Sequence, residues 1–220
     1  MHVSTKRFAE TTLGAFAETL ASEAPAPGGG SAVAIAAAFG ASLTGMVARL
    51  SIGRPRYEQH QTLLTEAVGS TDDARDRLLA LADEDAAAYT RYLEALRLPR
   101  DTPEDELLRA STARDAARTA VDVPLSLVQE CHRLVDLAER LAGRSNVSAA
   151  SDLDVALLLL EAAARGAAAN VIANLPATQD EGYSEAVLAE VDERLRQIQG
   201  TSARTRERVR KGAPQRSKSA

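Results

Sequence analysis

Apolar residues recur at intervals of three and four over most of the chain, and this spacing predicts about six helices. The predicted helices cover approximately residues 4–22, 31–52, 56–97, 103–142, 148–174 and 180–200. No stretch shows the strict alternation that is typical of a strand. The pattern therefore predicts an all-α fold, an antiparallel helical bundle in a single domain over residues 1–200.

Several helix boundaries carry local signals. Phe8, Leu13, Phe16 and Leu20 are predicted to face inward on the first helix. Prolines and glycines then break the chain before Ser31, whose hydroxyl can cap the second helix. Thr102 and Pro103 predict the start of the fourth helix, since a capping hydroxyl and a first-turn proline favour that position. Pro124 predicts a kink within it.

Composition agrees with a helical core built from small residues. The chain has 220 residues, of which 45% are hydrophobic but only 3% aromatic, and none is Trp. Ala, Leu and Val must therefore form the core, which is large enough for one compact domain. The single cysteine, Cys131, lies in a helical pattern and is expected to be buried and inert. Together with the lack of a signal-peptide pattern, it predicts a cytoplasmic location.

Charge is distributed unevenly along the chain. Residues 201–220 hold seven basic residues and one acidic residue, a net charge of +6, so the rest carries −11 of the total of −5. This basic tail has few apolar residues and is predicted to be disordered beyond about residue 212. The acidic body argues against a nucleic-acid partner. Residues 24–48 are uncharged, but Ala, Gly and Ser dominate them, so a helix buried in the bundle is predicted and no membrane span.

The most distinctive local feature is the run of Gly28, Gly29 and Gly30, followed directly by Ser31. Glycine lets backbone approach a ligand closely, and the first N–H groups of a helix have no partner within it. Together they can form a cradle of donors for an anionic or carbonyl-rich ligand. The alternative is a glycine turn that only permits tight helix packing, and these residues alone leave both interpretations open.

One carboxylate falls on the core face of the third helix. With Leu78 at 0° and about 100° per residue, Asp85 lies about 20° from the core direction and Asp83 about 140° from it. A carboxylate on a core face must be paired, hydrogen-bonded or shifted in pKa. Asp85 is therefore a candidate for acid–base chemistry. The alternative is a carboxylate that a neighbouring helix simply satisfies.

Two polar residues flank the apolar stripe of the fifth helix. Asp152 and Asn170 are 18 residues apart, about 27 Å along one unbroken helix, so they cannot share a site within it. Asp152 follows Ser151 near the helix start, where a capping role is the alternative. After the second helix, Arg54 and Arg56 can either meet a carboxylate or form a solvated helix end.

Other chemistry is sparse. The three histidines do not have the spacing of metal ligands, so no metal is predicted. No lysine follows the glycines in the way of a phosphate-binding loop, and no order of Ser, His and Asp suggests a nucleophilic triad.

Five segments together resemble the cyclodeaminase/cyclohydrolase family, which occurs alone in bacteria and as the C-terminal half of formiminotransferase-cyclodeaminase. They are PAPGGGSAVAIAAAFGASLTGMVARL, GRPRYE, DEDAAAYTRYLEALRLP, DVPLSLVQEC and SAASDLDVALLLLEAAARGAAANVIANL. The resemblance covers about residues 5–200 in order. The glycine motif is moderately specific alone and strong in combination with the last segment.

The resemblance implies an all-α homodimer that binds a tetrahydrofolate derivative as substrate in a groove near the subunit interface. It implies cyclisation of 5-formimino-tetrahydrofolate to 5,10-methenyl-tetrahydrofolate with release of ammonia. The alternative within the family is hydrolysis of the methenyl compound to 10-formyl-tetrahydrofolate. A non-catalytic folate binder or a helical scaffold on the same fold is the alternative outside it.

The resemblance also suggests roles for individual residues. Asp85 is the expected proton-transfer group, with Asp152 as second choice, because both reactions need proton transfers at one carbon between two nitrogens. The expected substrate-binding residues are Gly28, Gly29, Gly30, Ser31, Arg54, Arg56, Ser151 and Asn170. Arg54 and Arg56 stand where the family often carries lysine and are expected to meet the glutamate tail, although Pro55 between them departs from the family pattern.

Overall fold

The structure, a computed structural model, describes residues 7–212 and is almost entirely helical. Its α-helices are α1 (Leu13–Leu20), α2 (Gly29–Arg49), α3 (Gln61–Leu96), α4 (Pro103–Leu141), α5 (Ala150–Asn174) and α6 (Glu181–Gly212). Short 3-10 turns lie at Phe8–Glu10, Pro55–His60, Val147–Ala149 and Leu175–Thr178. The described residues contain no strand, so the predicted all-α bundle is confirmed.

Helix α2 packs mainly against α3 and α5. Helix α4 packs against α3 and α5, and α6 covers α4 and α5. The long leucines that are fully buried between these helices include Leu64, Leu78, Leu134, Leu157 and Leu160. Helices α2 and α5 run antiparallel, because Gly40 approaches Leu160 while Gly166 approaches Val33. Glycine at these two positions allows the helices to lie close together.

The fourth helix begins as the sequence predicts. The hydroxyl of Thr102 accepts a hydrogen bond from the backbone N–H of Asp105, and the Asp105 carboxylate accepts one from the backbone N–H of Thr102. This reciprocal arrangement is a capping box, and Pro103 occupies the first turn. Helix α4 continues through the buried Pro124 as far as Leu141.

The prediction for the first helix was wrong in extent and in packing. A helix was expected over residues 4–22, but α1 is only Leu13–Leu20, and residues 4–6 lie outside the described part of the chain. No residue of α1 is buried, and Leu13 is 70% exposed. Phe8, which precedes α1, is partly buried against the core and its ring contacts that of Phe16, whereas Leu13 and Leu20 are exposed.

The sixth helix also differs from its prediction. It was expected to end at about residue 200, yet α6 continues to Gly212. Residues 201–212 are therefore helical, and the disorder predicted beyond about residue 212 lies outside the described residues. The cause is packing, since Val209 is buried and the guanidinium of Arg206 donates a 2.7 Å hydrogen bond to Asp154 on α5. Charge-rich composition concealed this buried stripe.

Helix α2 buries mainly small residues in the core, together with Val47, and leaves its largest side chain, Phe39, exposed. Ala34, Ala37 and Ala41 are completely buried, whereas Phe39 is 46% exposed. Two segments, Gly29–Arg49 and Val147–Thr178, are long and apolar enough to span a membrane by length and composition alone. Both contribute about half of their length to the interior of the bundle. Packing in the core therefore does not explain why the outer face of α2 carries large apolar side chains such as Phe39.

Candidate functional site

The glycine run forms the N-terminus of α2. Gly28 is the N-cap residue and has no side chain to bond the free N–H groups of the first turn. The first intrahelical bond runs from the N–H of Ala32 to the carbonyl of Gly28 at 3.1 Å. The N–H groups of Gly29, Gly30 and Ser31 therefore remain available to a carboxylate or a ligand at this positive end of the helix dipole.

Asp85 lies directly against this helix end. Its Oδ2 accepts a 3.1 Å hydrogen bond from the hydroxyl of Ser31, which also lies 2.9 Å from the carbonyl of Ala82. Ser31 is completely buried, so the contact holds the carboxylate in a fixed place. A Cβ on Gly30 would lie within 2.6 Å of three atoms of the Asp85 carboxylate. Glycine is therefore required here so that α2 and the carboxylate can approach each other.

Burial raises the pKa of Asp85 above its ordinary value. The hydrogen bonds from the Ser31 hydroxyl and from its backbone N–H act in the opposite direction, because they stabilise the carboxylate, but burial dominates. A carboxyl group with a raised pKa holds a proton more readily than ordinary aspartate. Asp85 is thus suited to accept a proton from one atom and to return it to another.

A pocket of about 260 Å³ opens beside Gly30 and Asp85, and we call it the glycine pocket. Small-molecule sites usually measure about 300–1,000 Å³, so one chain supplies room for only part of a large ligand. The residues that line it come from the α1–α2 connection and from α2, α3, α4 and α5. They are Pro25, Ala26, Gly28, Gly29, Gly30, Asp85, Ala86, Ala88, Tyr89, Ala120, Asn170 and Asn174.

Two asparagines on one face of α5, Asn170 and Asn174, line one side of the pocket. Asn174 donates a 2.7 Å hydrogen bond from Nδ2 to the carbonyl of Ala120, which fixes the orientation of its amide. Asn170 lies one turn earlier on the same face. Amide groups of this kind can donate to carbonyl oxygens and accept from ring N–H groups. The lining contains Asp85 and Tyr89 as its titratable side chains and includes no cation.

The remaining predicted residues lie at the opposite end of the bundle, which we call the arginine end: Arg54, Arg56, Ser151 and Asp152. The backbone N–H of Asn146 donates to the hydroxyl of Ser51 at 2.7 Å, which ties the segment after α2 to the segment before α5. Helix α2 has 21 residues and so separates this end from the glycine pocket by about 30 Å. Arg54 lines a shallow surface depression there, and the guanidinium of Arg56 lies 5.8 Å from the centre of the Tyr57 ring.

The structure therefore divides the candidates into two groups. It brings together Gly28, Gly29, Gly30, Ser31, Asp85 and Asn170. It places Asp152, Ser151, Arg54 and Arg56 far from them within one chain. Asp83, which was predicted to face away from the core, accepts a hydrogen bond from the backbone N–H of Phe8, outside the pocket.

Sequence reasoning missed Asn174 and Tyr89 as pocket residues. Asn174 carries a detectable signal, because it follows Asn170 by four positions and must share its helix face. By the same angular count Tyr89 lies about 20° from Leu78, on the predicted core face of the third helix, but it is 45% exposed and lines the pocket. Among residues 7–212, no three His, Cys, Asp or Glu side chains lie close enough together to hold a metal ion.

Comparison with known proteins links this geometry to a family of enzymes. Residues 12–193 match the family described as formiminotransferase-cyclodeaminase. A methenyltetrahydrofolate cyclohydrolase from Methylorubrum extorquens is 36% identical over 192 residues, which cover 87% of this chain and 89% of that protein. A formimidoyltransferase-cyclodeaminase from Gallus gallus is 37% identical over 171 residues, which cover 78% of this chain but only 32% of that protein.

A solved structure has the same fold. The formiminotetrahydrofolate cyclodeaminase of Thermotoga maritima superposes with a TM-score of 0.84 and is 26% identical. The superposition covers 92% of this chain and 98% of the Thermotoga chain. The likeness therefore includes every helix that forms the glycine pocket.

Proposed function

Because this chain belongs to the formiminotransferase-cyclodeaminase family, we propose that it processes a tetrahydrofolate whose one-carbon unit lies between N5 and N10. The observation that carries the proposal is the half-buried Asp85 at the N-terminus of α2, held by Ser31. The related proteins are named as enzymes, which argues against a purely structural role for the bundle.

The glycine pocket has the chemistry that a reduced pterin requires. The pterin edge carries a carbonyl oxygen and N–H groups, which match free backbone donors at Gly29 and Gly30 and amide groups at Asn170 and Asn174. The exposed ring of Tyr89 offers an apolar face on which a flat heterocycle can stack. At about 260 Å³, the pocket suits the pterin and the reacting bridge better than a whole folate.

We favour hydrolysis of 5,10-methenyl-tetrahydrofolate as the reaction. Asp85 takes a proton from water as the oxygen attacks the bridging carbon, and a neutral tetrahedral adduct forms. Asp85 then gives this proton to N5 as the carbon–N5 bond breaks. The hydroxyl proton leaves to solvent as the formyl carbonyl forms on N10. One positively charged substrate and one water thus give 10-formyl-tetrahydrofolate and one proton.

Cyclisation of 5-formimino-tetrahydrofolate is the second candidate and uses the same group. N10 attacks the carbon of the protonated formimino group, and Asp85 carries the N10 proton to the departing nitrogen. Ammonia leaves, and the positively charged methenyl bridge remains. In both reactions one proton moves between two atoms that are each bonded to the reacting carbon, and a single carboxylate can carry it.

The order of these candidates rests on the comparisons. The sequence alone favoured the cyclodeaminase reaction slightly. The Methylorubrum cyclohydrolase, however, matches along 89% of its length, whereas the equally similar Gallus formimidoyltransferase-cyclodeaminase (37% identity against 36%) is matched over only 32% of its length, and the Thermotoga cyclodeaminase is 26% identical. The first of these observations favours hydrolysis, and the full-length structural match keeps cyclisation as the second candidate.

One assay separates the two reactions. The purified chain is incubated with 5,10-methenyl-tetrahydrofolate and, separately, with 5-formimino-tetrahydrofolate, and the absorbance of the methenyl chromophore is followed. Loss of the chromophore faster than in buffer alone is expected and identifies the cyclohydrolase. A gain with the formimino substrate identifies the cyclodeaminase. No change with either substrate would contradict the proposed function.

We also propose a homodimer, supported by an apolar stripe that the single chain leaves uncovered. On α2 it consists of Ala32, Ala36, Phe39, Leu43, Met46 and Leu50, which alternate in steps of four and three. This is the spacing of a helix that packs along another helix. On the adjacent α5, Val155, Leu158, Ala162, Ala169 and Ile172 continue the surface, and Ile172 is 52% exposed. We call these residues the apolar face. Contiguous apolar surface of this kind marks an interface.

Charge in the middle of the apolar face is expected to break the dimer. Phe39→Asp should raise the dimer dissociation constant at least about 100-fold, because a carboxylate would be buried without a partner. Analytical ultracentrifugation measures this constant. Leu188→Asp is the matched control, because Leu188 is also exposed but lies on α6. A Phe39→Asp protein that associates as tightly as the wild type would contradict the assignment of this face.

A cytoplasmic location and the absence of a membrane or nucleic-acid partner stay proposals. Their support is the acidic body of the chain and its single cysteine, Cys131, which is buried. A reduced cysteine suits a reducing compartment.

A further inference from the structure

We infer that Pro124 is a positioning residue for the substrate: it frees the carbonyl of Ala120 from the hydrogen bonds of α4, and this carbonyl holds Asn174 so that its amide oxygen becomes a fixed acceptor for N–H groups of the pterin. The inference rests on the proposed function for the identity of the ligand. Its structural basis is one hydrogen bond from α5 to α4, together with a proline four positions after the residue that accepts it.

Pro124 removes a backbone donor from the middle of α4. In an α-helix, the carbonyl of each residue accepts a hydrogen bond from the N–H group four positions later. For Ala120 that position is 124, and proline has no N–H group, while its ring crowds the carbonyl four positions before it. The carbonyl of Ala120 therefore lacks its regular donor within α4. Because proline is the least favourable residue in a helix interior, its place in this helix of 39 residues calls for a reason other than helix formation.

Asn174 supplies a donor to this carbonyl. Its Nδ2 lies 2.7 Å from the oxygen of Ala120, which is at the short end of the range for an N–H···O bond. Ala120 and Asn174 both line the glycine pocket, so the bond is part of the pocket wall. The proline on α4 and the asparagine on α5 thus act on the same carbonyl, at the edge of the site.

The bond determines which way round the Asn174 amide lies. A carbonyl oxygen only accepts hydrogen bonds, so the group of Asn174 that faces Ala120 must be its NH2 group. Across residues 7–212 this side chain makes no second hydrogen bond, and its Oδ1 is left to accept from a ligand. One edge of a pterin carries a ring N–H beside an amino group, which is a matching pair of donors.

Asn170 differs from Asn174 in this respect. It lies one turn earlier on the same face of α5, but no carbonyl holds its amide among the described residues. It can therefore turn either its oxygen or its NH2 group toward a ligand. Asn174 is fixed, so it is the amide that can distinguish a donor edge of a ligand from an acceptor edge.

Two further contacts hold the segment that follows Asn174 against the same part of α4. The hydroxyl of Tyr183 donates a 2.6 Å hydrogen bond to the carboxylate of Asp122. The guanidinium of Arg118 pairs with Asp180 and lies 5.1 Å from the centre of the Tyr183 ring. Exposed pairs of this kind add little stability, but they lie on both sides of the freed carbonyl along α4 and limit how far Asn174 can move from it.

Restoring the N–H group at position 124 tests the inference. Pro124→Val keeps most of the buried volume and lets the carbonyl of Ala120 turn back into the helix, which weakens its bond to Asn174. The Kd for 5-formyl-tetrahydrofolate should rise about three- to tenfold, the effect of losing one ordinary hydrogen bond. KM should rise with it, while kcat stays within about twofold because Asp85 is not touched. Calorimetry gives Kd, the methenyl assay gives KM and kcat, and an unchanged Kd would overturn the inference.

Thermal stability separates positioning from a purely structural role. Pro124→Val replaces an unfavourable helix residue, so its Tm should equal or exceed that of the wild type although its affinity for folate falls. Val123→Ala is the matched control, because Val123 is buried beside Pro124 and its replacement leaves every backbone donor in place. This control should lower the Tm and leave Kd unchanged. A Pro124→Val protein whose Tm and affinity fall together would show a structural role and overturn the inference.

A double-mutant cycle tests whether Pro124 acts through Asn174. Asn174→Ala removes the amide and should itself raise Kd about tenfold. In that background Pro124→Val should have no further effect, because the carbonyl that it changes no longer holds a side chain. An equal effect of Pro124→Val with and without Asn174 would overturn the inference while leaving the proposed function intact. A wild-type protein that binds no folate would contradict the proposed function and the inference that rests on it.

Discussion

Replacing Asp85 by asparagine is expected to lower kcat about 10²- to 10⁴-fold, the usual contribution of a general acid–base group. The amide has nearly the same shape and can still accept the hydrogen bond from the Ser31 hydroxyl, so the pocket should keep its form. Folate binding should therefore change little while turnover is lost. Stopped-flow or steady-state measurement of the methenyl chromophore gives kcat, and calorimetry gives the affinity.

Asp83→Asn is the matched control. Asp83 lies two positions away on α3 and accepts its bond from Phe8 outside the glycine pocket, so this change should leave kcat within about threefold of wild type. Full activity of Asp85→Asn would remove Asp85 from the mechanism. Equal losses in the two variants would point to a disturbed α3 and away from a specific proton transfer.

Stability offers a further check on the same variant. Burial raises the pKa of Asp85 in the folded protein, so the charged form is less favourable there than in the unfolded chain. The folded state then binds the proton more tightly, so stability falls as pH rises from the unfolded pKa of Asp85 through its higher folded pKa. Asparagine carries no charge at neutral pH, so Asp85→Asn avoids this loss of stability. Its Tm at neutral pH should therefore equal or exceed that of the wild type. A markedly lower Tm would contradict this account of the site.

Replacing Gly30 by alanine is expected to reduce kcat/KM by about 100-fold or more. The new methyl group would lie within 2.6 Å of three Asp85 carboxylate atoms, closer than any real contact allows. Either the carboxylate or the start of α2 must move, and a displacement of about 1 Å can cost about 10² in rate. Overpacking should also lower the free energy of unfolding by about 1–3 kcal/mol. The assay of the methenyl chromophore and chemical denaturation measure these two effects.

A glycine outside the glycine pocket provides a control for this substitution. Gly69→Ala adds the same methyl group on α3, where no atom lies within 4 Å of the new Cβ. Both changes replace a helical glycine by alanine, so the contact with Asp85 is what distinguishes them. Gly69→Ala should keep kcat/KM within a few-fold of wild type. If the two variants behave alike, the close approach of Gly30 and Asp85 is not what the site depends on.

The fold was largely accessible from the sequence because its main helices are long and strongly periodic. The start of α4 was clear, since Thr102 and Pro103 combine two independent signals. The predictions were wrong for the first and last helices, because periodicity alone does not show where a helix begins, where it ends or whether it packs on the core. Helix α1 has an apolar pattern but no buried residue, and the end of α6 hides the buried Val209 among many charges.

The site was accessible where a residue conflicted with its surroundings. Asp85 could be identified because a carboxylate on a core face demands an explanation, and the structure provides one in Ser31 and the end of α2. The role of Gly30 was not predictable as distinct from those of Gly28 and Gly29, because only the packing of α2 against α3 makes one of the three glycines indispensable. Periodicity describes a single helix, whereas this contact joins two.

The outward face of α2 illustrates a deeper limit of the single sequence. Phe39, Leu43 and Met46 look like part of a core stripe, yet Phe39 is 46% exposed, and the buried positions of α2 are mostly alanines and other small residues. Periodicity shows that these residues share a helix face, but it does not show whether that face lies against the core. The same limit hid the distance between Asp85 and Arg54, which lie at opposite ends of the bundle.

The dependence of kcat/KM on pH tests the role of Asp85 most directly. Both proposed reactions begin with the carboxylate form, so the rate should fall as pH is lowered through the pKa of Asp85. Because burial raises that pKa, the midpoint should lie above the ordinary value for aspartate of about 3.9, and this limb should be absent from the residual rate of Asp85→Asn. A wild-type rate that does not fall at low pH, or a limb with the same midpoint in Asp85→Asn, would contradict the account.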